Sequence, residues 1–249
     1  MRLAMTGGAT GIAAATAELL LRQGHELTVF DLRKPDFDVQ YIPLDLMDQN
    51  AVDAALTAAE GNFDGLCFIA GIPPREDNGA ACLTVNTLST CRFIKGFMPK
   101  LNEGAAVVSV ASRAGLGWQD NIPQLDDILS LAPDQMQDWC KSNEIPAALA
   151  YRLSKQAIIY WHQKQVAEYI GRNRFVTVSP AAVSTGILDD FIKAFGPGVA
   201  ANLAKVGRAG KPEEVAATIA FLVSEQANWI NGIDIIVDGG MGALNLGVG

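Results

Sequence analysis

The strand segments of this sequence are apolar on both faces, and that feature limits the possible fold more than any other. Runs such as Gly65-Leu66-Cys67-Phe68-Ile69 and Ile233-Asp234-Ile235-Ile236-Val237 lack a strict polar/apolar alternation. A strand with one wet face alternates. A continuous apolar run fits a strand covered by helices on both sides, the condition of a parallel sheet. Such segments fall near 2–6, 27–31, 40–43, 65–70, 105–111, 174–179 and 233–237, with helical stretches near 12–23, 48–60, 83–102, 151–170 and 212–224. The alternation runs through 1–249 with no linker or low-complexity break, which predicts a single α/β domain. Right-handed crossovers then give a doubly wound parallel sheet of about seven strands, with ligands at the carboxyl ends of the strands.

Thr6-Gly7-Gly8-Ala9-Thr10-Gly11-Ile12 joins the first strand to a stretch of strong helix formers at 13–21. Glycines let a backbone approach a pyrophosphate closely, and a helix N-terminus offers it free N–H groups. The second strand ends in Asp31. A carboxylate there accepts hydrogen bonds from an adenosine ribose diol and repels a 2′-phosphate; a turn residue before a loop is the plainer reading. Farther along, Tyr151 and Lys155 stand four apart on a helical stretch, on one face. An ammonium beside a phenol stabilises the phenolate and lowers its pKa, which suits a group that moves a proton on and off an alcohol oxygen.

In order along the chain, these residues resemble the short-chain dehydrogenase/reductase family. Its TGxxxGxG turn is met at Thr6, Gly7 and Gly11 and departs at Ala13, whose methyl is expected to crowd the helix–strand packing. Further marks are Asp45-Leu46, Ala70-Gly71, Val85-Asn86, Ser112, Tyr151 with Lys155, Pro180 with Val183 and Thr185, and Asp238-Gly239-Gly240. Ile69, in place of an asparagine, and Ala181, in place of a glycine, are the other departures. The resemblance implies a Rossmann-type sheet with helices on both faces and NAD as cofactor. It assigns cofactor binding to Gly7, Thr10, Gly11, Ile12, Asp31, Leu32, Asp45, Leu46, Ala70, Gly71, Tyr151, Lys155, Pro180, Val183 and Thr185. It assigns catalysis to Asn86, Ser112, Tyr151 and Lys155. Tyr151 is the acid/base, Lys155 lowers its pKa and holds the nicotinamide ribose, Ser112 orients the substrate oxygen, and Asn86 holds a water that relays protons from Lys155. Ser109 is a rival to Ser112, but Ser112 aligns with the family's serine and with the glycine three residues on, here Gly115.

The stretch 117–148, between serine and tyrosine, is longer than the family usually has. Such an insert marks a bacterial branch whose members resemble 3α-hydroxysteroid dehydrogenase/carbonyl reductase. Leu125, Ile128 and Leu129 share one helical face, Pro133 opens a second short helix, and Pro146 stops it. The insert is expected beside the active-site mouth or at a subunit contact. A segment near 185–210, apolar and with Gly186, Gly196, Pro197 and Gly198 as candidate hinges, reads as a substrate lid or as an ordinary amphipathic surface helix. Both segments suggest an uncharged, apolar substrate, with Arg113 and Arg152 left open as possible carboxylate grips.

The expectation is therefore an NAD(H)-dependent oxidoreductase interconverting an apolar cyclic secondary alcohol, such as a steroid or monoterpenol, and its ketone. The alternative is a catalytically silent dinucleotide-binding regulator on the same fold. A net charge of −8 without a basic stripe argues against nucleic acid. No apolar run reaches the ~20 residues of a membrane span. The first strand leaves no room before it for a signal peptide, and Cys67, Cys82, Cys91 and Cys140 show no metal spacing. Cytoplasmic location, no metal, and a homodimer or homotetramer are expected.

Overall fold

The computed structural model describes residues 1–245. Along the chain come β1 (Arg2–Thr6), α1 (Gly11–Arg22), β2 (Glu26–Asp31), β3 (Gln40–Pro43), α2 (Gln49–Ala58) and β4 (Phe63–Phe68). A bent helical run follows, made of α3 (Gly79–Leu83), a π-helical stretch Thr84–Ser89 and α4 (Thr90–Phe97), and then β5 (Leu101–Val110). The second half holds α5 (Ile122–Ser130), α6 (Met136–Ser142), α7 (Ala147–Tyr169), β6 (Arg174–Pro180), α8 (Leu188–Phe195), α9 (Pro197–Val206), α10 (Pro212–Val223), β7 (Asp234–Val237) and α11 (Met241–Asn245).

All seven strands pair in parallel, in the order β3-β2-β1-β4-β5-β6-β7. The sheet is covered on both faces, as the unalternating strand runs require, and is a Rossmann-type α/β sheet. One face packs Leu3, Met5, Val29, Cys67 and Val108 with Ala17 and Leu20 of α1 and Ile219 and Val223 of α10. The other packs Phe30, Phe63, Phe68, Val107 and Phe175 with Val52 of α2, Phe93 and Phe97 of α4, and Ile158 and Ile159 of α7. Phe30, Phe93 and Phe97 meet there ring to ring, with centroids 5.2–5.8 Å apart. The four cysteines are free and buried. Among the described residues no helix is long and apolar enough to cross a membrane, and no cluster of three or more metal-ligating side chains occurs.

The helix expected over 83–102 ends sooner, and β5 begins sooner than expected. Pro99 explains both, since it has no N–H to continue an α-helix. Met98–Lys100 make one tight 3-10 turn, and the strand starts at Leu101. Pro146 does not stop the second insert helix. That helix ends at Ser142, and Pro146 is the residue that caps the start of α7.

The insert buries its apolar face on its own subunit. Leu125, Ile128 and Met136 are fully buried against Cys82 and Leu83 of α3 and Leu153 and Ala157 of α7, with Trp139 half-buried at the edge. Burial of those three side chains is worth roughly 5–9 kcal/mol, enough to hold two short helices in place. The insert therefore packs on α3 and α7, and no residue of 117–148 lines the cavity at the strand ends. The insert helices pack into the cluster that also holds Tyr151, Phe191 and Phe195, without lining the cavity themselves.

Candidate active site

The strand order reverses direction between β1 and β4, the crevice where open α/β sheets bind ligands. Thr6 stitches it shut from below. Its hydroxyl accepts from the Ile69 and Ala70 N–H groups at 3.1 and 3.3 Å. Gly7 and Gly11 have φ of +79° and +61°, which side chains with a Cβ rarely adopt. A Cβ on Gly7 would also stand 3.1 Å from the Ala13 methyl, and one on Gly11 3.3 Å from Thr185 Cγ2. The Ala13 methyl thus sits over a bare glycine. The Thr10 side chain makes no capping bond, so the first N–H groups of α1 remain open toward the cavity.

The cavity above this turn has a volume of about 890 Å³, a size that suits a sizeable ligand. Every residue expected at the cofactor lines it: Gly7, Thr10, Gly11, Ile12, Asp31, Leu32, Asp45, Leu46, Ala70, Gly71, Tyr151, Lys155, Pro180, Val183 and Thr185. Asp31 is fixed by the N–H groups of Ala9 (3.1 Å) and Arg33 (3.2 Å), one on each carboxylate oxygen. An uncapped helix N-terminus, a glycine cradle with no room for side chains, and a held carboxylate fit a dinucleotide.

Ser112, Tyr151 and Lys155 line the same cavity. Ser112 caps the 3-10 turn Arg113–Gly115, accepting from the Ala114 N–H at 3.2 Å, and it hydrogen-bonds Tyr151. Lys155 is 6% exposed and donates to the Val110 carbonyl at 3.1 Å. Ser109, the rival serine, is buried inside β5 with its hydroxyl unpartnered. Arg113 is engaged with Asp238 at 3.1 Å, while Arg152 stands exposed at the cavity wall.

Two features of the site bear on the expected roles of Lys155 and Asn86. Lys155 does not lower the Tyr151 pKa in this state. Burial pushes the phenol well above its usual value, and the Ser112 hydrogen bond offsets only part of that. The Phe191 and Phe195 rings of α8, edge-on to Tyr151 at 5.2 and 6.1 Å, are part of that burial. Lys155 is itself pulled down to about 8 by burial, so it remains charged at neutral pH and begins to lose its proton only near pH 8. Second, the Asn86 side-chain amide is engaged within the protein. Both amide hydrogens are spent, on the Ile72 carbonyl (3.0 Å) and the Ser154 hydroxyl (3.3 Å), and its oxygen accepts from the Ile72 N–H. Asn86 lies behind Gly71, where a Cβ would come 2.9 Å from its oxygen, and it clamps the loop after β4 to α7. Its place in a π-helical stretch, often a functional feature, is not legible from residue spacing. Sequence reasoning also missed Met47, Ile72 and Met241 as cavity walls.

Gly115 is a close-approach position. An added Cβ would lie 2.8 Å from the Lys155 backbone carbon and oxygen and 2.7 Å from Ile159 Cδ1. The α7 backbone cannot yield, so the turn that carries Ser112 must move. Gly115→Ala is expected to lower kcat/KM by at least about tenfold with NADH affinity near wild type. Steady-state kinetics with wild-type values would show that the turn tolerates the shift.

Comparison with known proteins gives a consistent picture. Residues 2–123 match the family model described as short chain dehydrogenase, and residues 139–242 match one described as enoyl-(acyl carrier protein) reductase. The unmatched residues between them belong to the insert. Coniferyl-alcohol dehydrogenase of Pseudomonas sp. (strain HR199 / DSM 7063) is 31% identical over 245 residues, covering 96% of each chain. The 3-alpha-hydroxysteroid dehydrogenase/carbonyl reductase of Comamonas testosteroni is 28% identical, covering 97% of this chain and 96% of that one. The crystal structure of the 3-alpha-hydroxysteroid dehydrogenase from Pseudomonas sp. B-0831, complexed with NADH, superimposes over 100% of both chains with a TM-score of 0.87 at 29% identity. With this sheet, this cavity and these relatives, the chain belongs to the short-chain dehydrogenase/reductase family.

Proposed function

We propose that this short-chain oxidoreductase uses NAD(H) to interconvert an apolar, ring-bearing secondary alcohol, of the steroid or monoterpenol kind, and its ketone. The observation that carries this reading is that Ser112, Tyr151 and Lys155 share one cavity with the glycine turn and Asp31. Relatives named for coniferyl alcohol and hydroxysteroids support an alcohol bearing rings.

The residues that would hold the cofactor are the Gly7–Ile12 turn with the open α1 terminus at the pyrophosphate, Asp31 and Leu32 at the adenosine ribose, Asp45 and Leu46 at the adenine, and Lys155 at the other ribose. The bound nucleotide supplies or accepts the hydride. Ser112 orients the substrate oxygen. Tyr151 gives that oxygen a proton in ketone reduction and takes one from it in alcohol oxidation. Covered by Phe191 and Phe195, Tyr151 is held protonated, the state that reduction needs. Oxidation requires the phenol to be uncovered, so that the Lys155 charge and a polar ligand can lower its pKa. Asn86 acts as a positioning residue through Ile72 and Ser154. Helices α8 and α9, within 185–210, are the substrate lid. Arg75, after β4, reaches Asp190 on α8 at 3.0 Å and latches it closed.

We also propose a cytoplasmic homo-oligomer. The insert covers α7, the helix commonly paired in this family. The free edge of β7, where Ile233 and Ile236 are 49% and 46% exposed, is then the surface for pairing, with Phe221 of α10.

The cofactor preference tests the reading. Asp31, held in place by two backbone N–H groups, would repel a 2′-phosphate. NAD is expected over NADP on the order of 100-fold in kcat/KM, about 2.7 kcal/mol. Arg33 also lines the cavity and softens the gap, and Asp31→Ala narrows it. A panel of ring ketones with NADH and NADPH measures this. Equal kcat/KM with both cofactors contradicts the assignment of Asp31, and no turnover of any ketone contradicts the function.

A further inference from the structure

Asp238 sits where three parts of the cavity wall meet. Its Oδ1 accepts from the Gly240 N–H at 2.9 Å and its Oδ2 from the Gly242 N–H at 2.7 Å, which fixes the chain at the start of α11. The same Oδ2 stands 3.1 Å from Arg113 Nε, as an ion pair rather than an aligned hydrogen bond. The pair is largely buried, at 22% and 9% side-chain exposure. Arg113 directly follows Ser112 in the 3-10 turn that Gly115 presses against α7. On the other side, Met241 is 6% exposed and lines the cavity. Gly239 packs against Val206 of α9, where a Cβ would come 2.9 Å from Val206 Cγ1, and Val199 and Asn202 of α9 line the same end. The space around the pair is full, since a Cβ on Gly242 would meet Asp238 Oδ2 at 3.1 Å and the Arg113 guanidinium at 3.7 Å.

We propose that Arg113 and Asp238 are positioning residues that set the size of ring system the enzyme accepts. Resting on the oxidoreductase reading above, the ion pair couples the turn carrying Ser112 to the C-terminal wall formed by Met241 and α9. A small ketone is held by Ser112 and Tyr151 alone and gains little from that wall. A fused-ring ketone reaches it, so a wall that drifts from Ser112 loses contacts with the far end of the large substrate. Arg113 is then occupied as a structural cation and does not grip a substrate carboxylate.

The test compares Arg113→Met, Arg113→Lys and Asp238→Asn with wild type, using acetone and a fused bicyclic ketone. The ratio of KM for the bicyclic ketone to KM for acetone is expected to rise at least about tenfold in Arg113→Met and Asp238→Asn. Arg113→Lys keeps the charge and is expected to return that ratio to within about threefold of wild type. Hydrogen exchange of the Gly240 and Gly242 amides in the apoprotein is expected to quicken by about tenfold or more in the first two variants. Equal changes in KM for both ketones, or unchanged amide exchange, would overturn the proposal. If Arg113→Met does not fold, Asp238→Asn decides it. If wild type turns over no ketone, the functional reading fails, and the amide exchange still decides whether the pair anchors the wall.

Discussion

Tyr151→Phe is expected to lower kcat at least about 100-fold while leaving the Kd for NADH within about twofold of wild type. The substitution removes one oxygen and keeps the ring, and the ring does most of the packing. It meets Phe191 and Phe195 edge-on and belongs to the cluster with Leu125, Ile128 and Leu153. Fold and lid should therefore be preserved. What disappears is the hydroxyl that hydrogen-bonds Ser112 and, in the proposed reaction, exchanges a proton with the substrate oxygen. Stopped-flow turnover beside a fluorescence titration with NADH separates the two quantities. Retention of more than about a tenth of kcat would place the acid/base elsewhere.

Lys155→Met is expected to abolish activity and yet stabilise the cofactor-free protein at neutral pH. Burial lowers the Lys155 pKa from 10.5 to about 8. Below pH 8 the lysine is charged in both folded and unfolded chains, and the cost of burying that charge is fully present. Between about pH 8 and 10.5 the folded protein has released the proton and the unfolded chain has not, so wild-type stability rises with pH. The lowering corresponds to roughly 3 kcal/mol. Methionine fills similar space without charge, offset by about 1 kcal/mol for the donor lost to the Val110 carbonyl. Urea unfolding of both proteins at pH 7 and pH 10 should show an advantage for the variant that shrinks at the higher pH. A variant less stable than wild type at pH 7, with the same pH slope, would contradict the burial argument. The loss of activity at a site that costs stability is the expected exchange between the two.

The sheet was legible because its cause is local. Runs such as 65–70 and 174–179 are apolar on both faces whatever surrounds them, and the glycine turn at 6–12 announces both a strand end and a helix start. The positions lining the cavity were legible for a related reason, since Thr6, Asp31, Ala70-Gly71, Ser112 and Pro180 all follow strands and a parallel sheet gathers such ends on one edge. The missed features depend on residues far apart in sequence. The Tyr151 environment is set by Phe191 and Phe195, and no spacing around Tyr151-Lys155 reveals that those rings will cover it. Asn86 reads as a polar site residue, but its hydrogen bonds go to a loop and a helix that only the fold brings to it. The insert is amphipathic, and a sequence shows that its face must be buried without showing against what. The early end of the helix before β5 was within reach, since Pro99 announces it.

Transfer of a labelled hydride tests the central claim most directly. NADH carrying deuterium at the nicotinamide position that donates the hydride, incubated with a ring ketone and the wild-type protein, is expected to yield an alcohol with deuterium on the carbinol carbon. The yield should match the NADH consumed, and the product should disappear in Tyr151→Phe. An alcohol with only solvent hydrogen at that carbon, or nucleotide that binds but is never oxidised by any ketone, would contradict the account, the latter pointing to a dinucleotide-binding regulator on this fold.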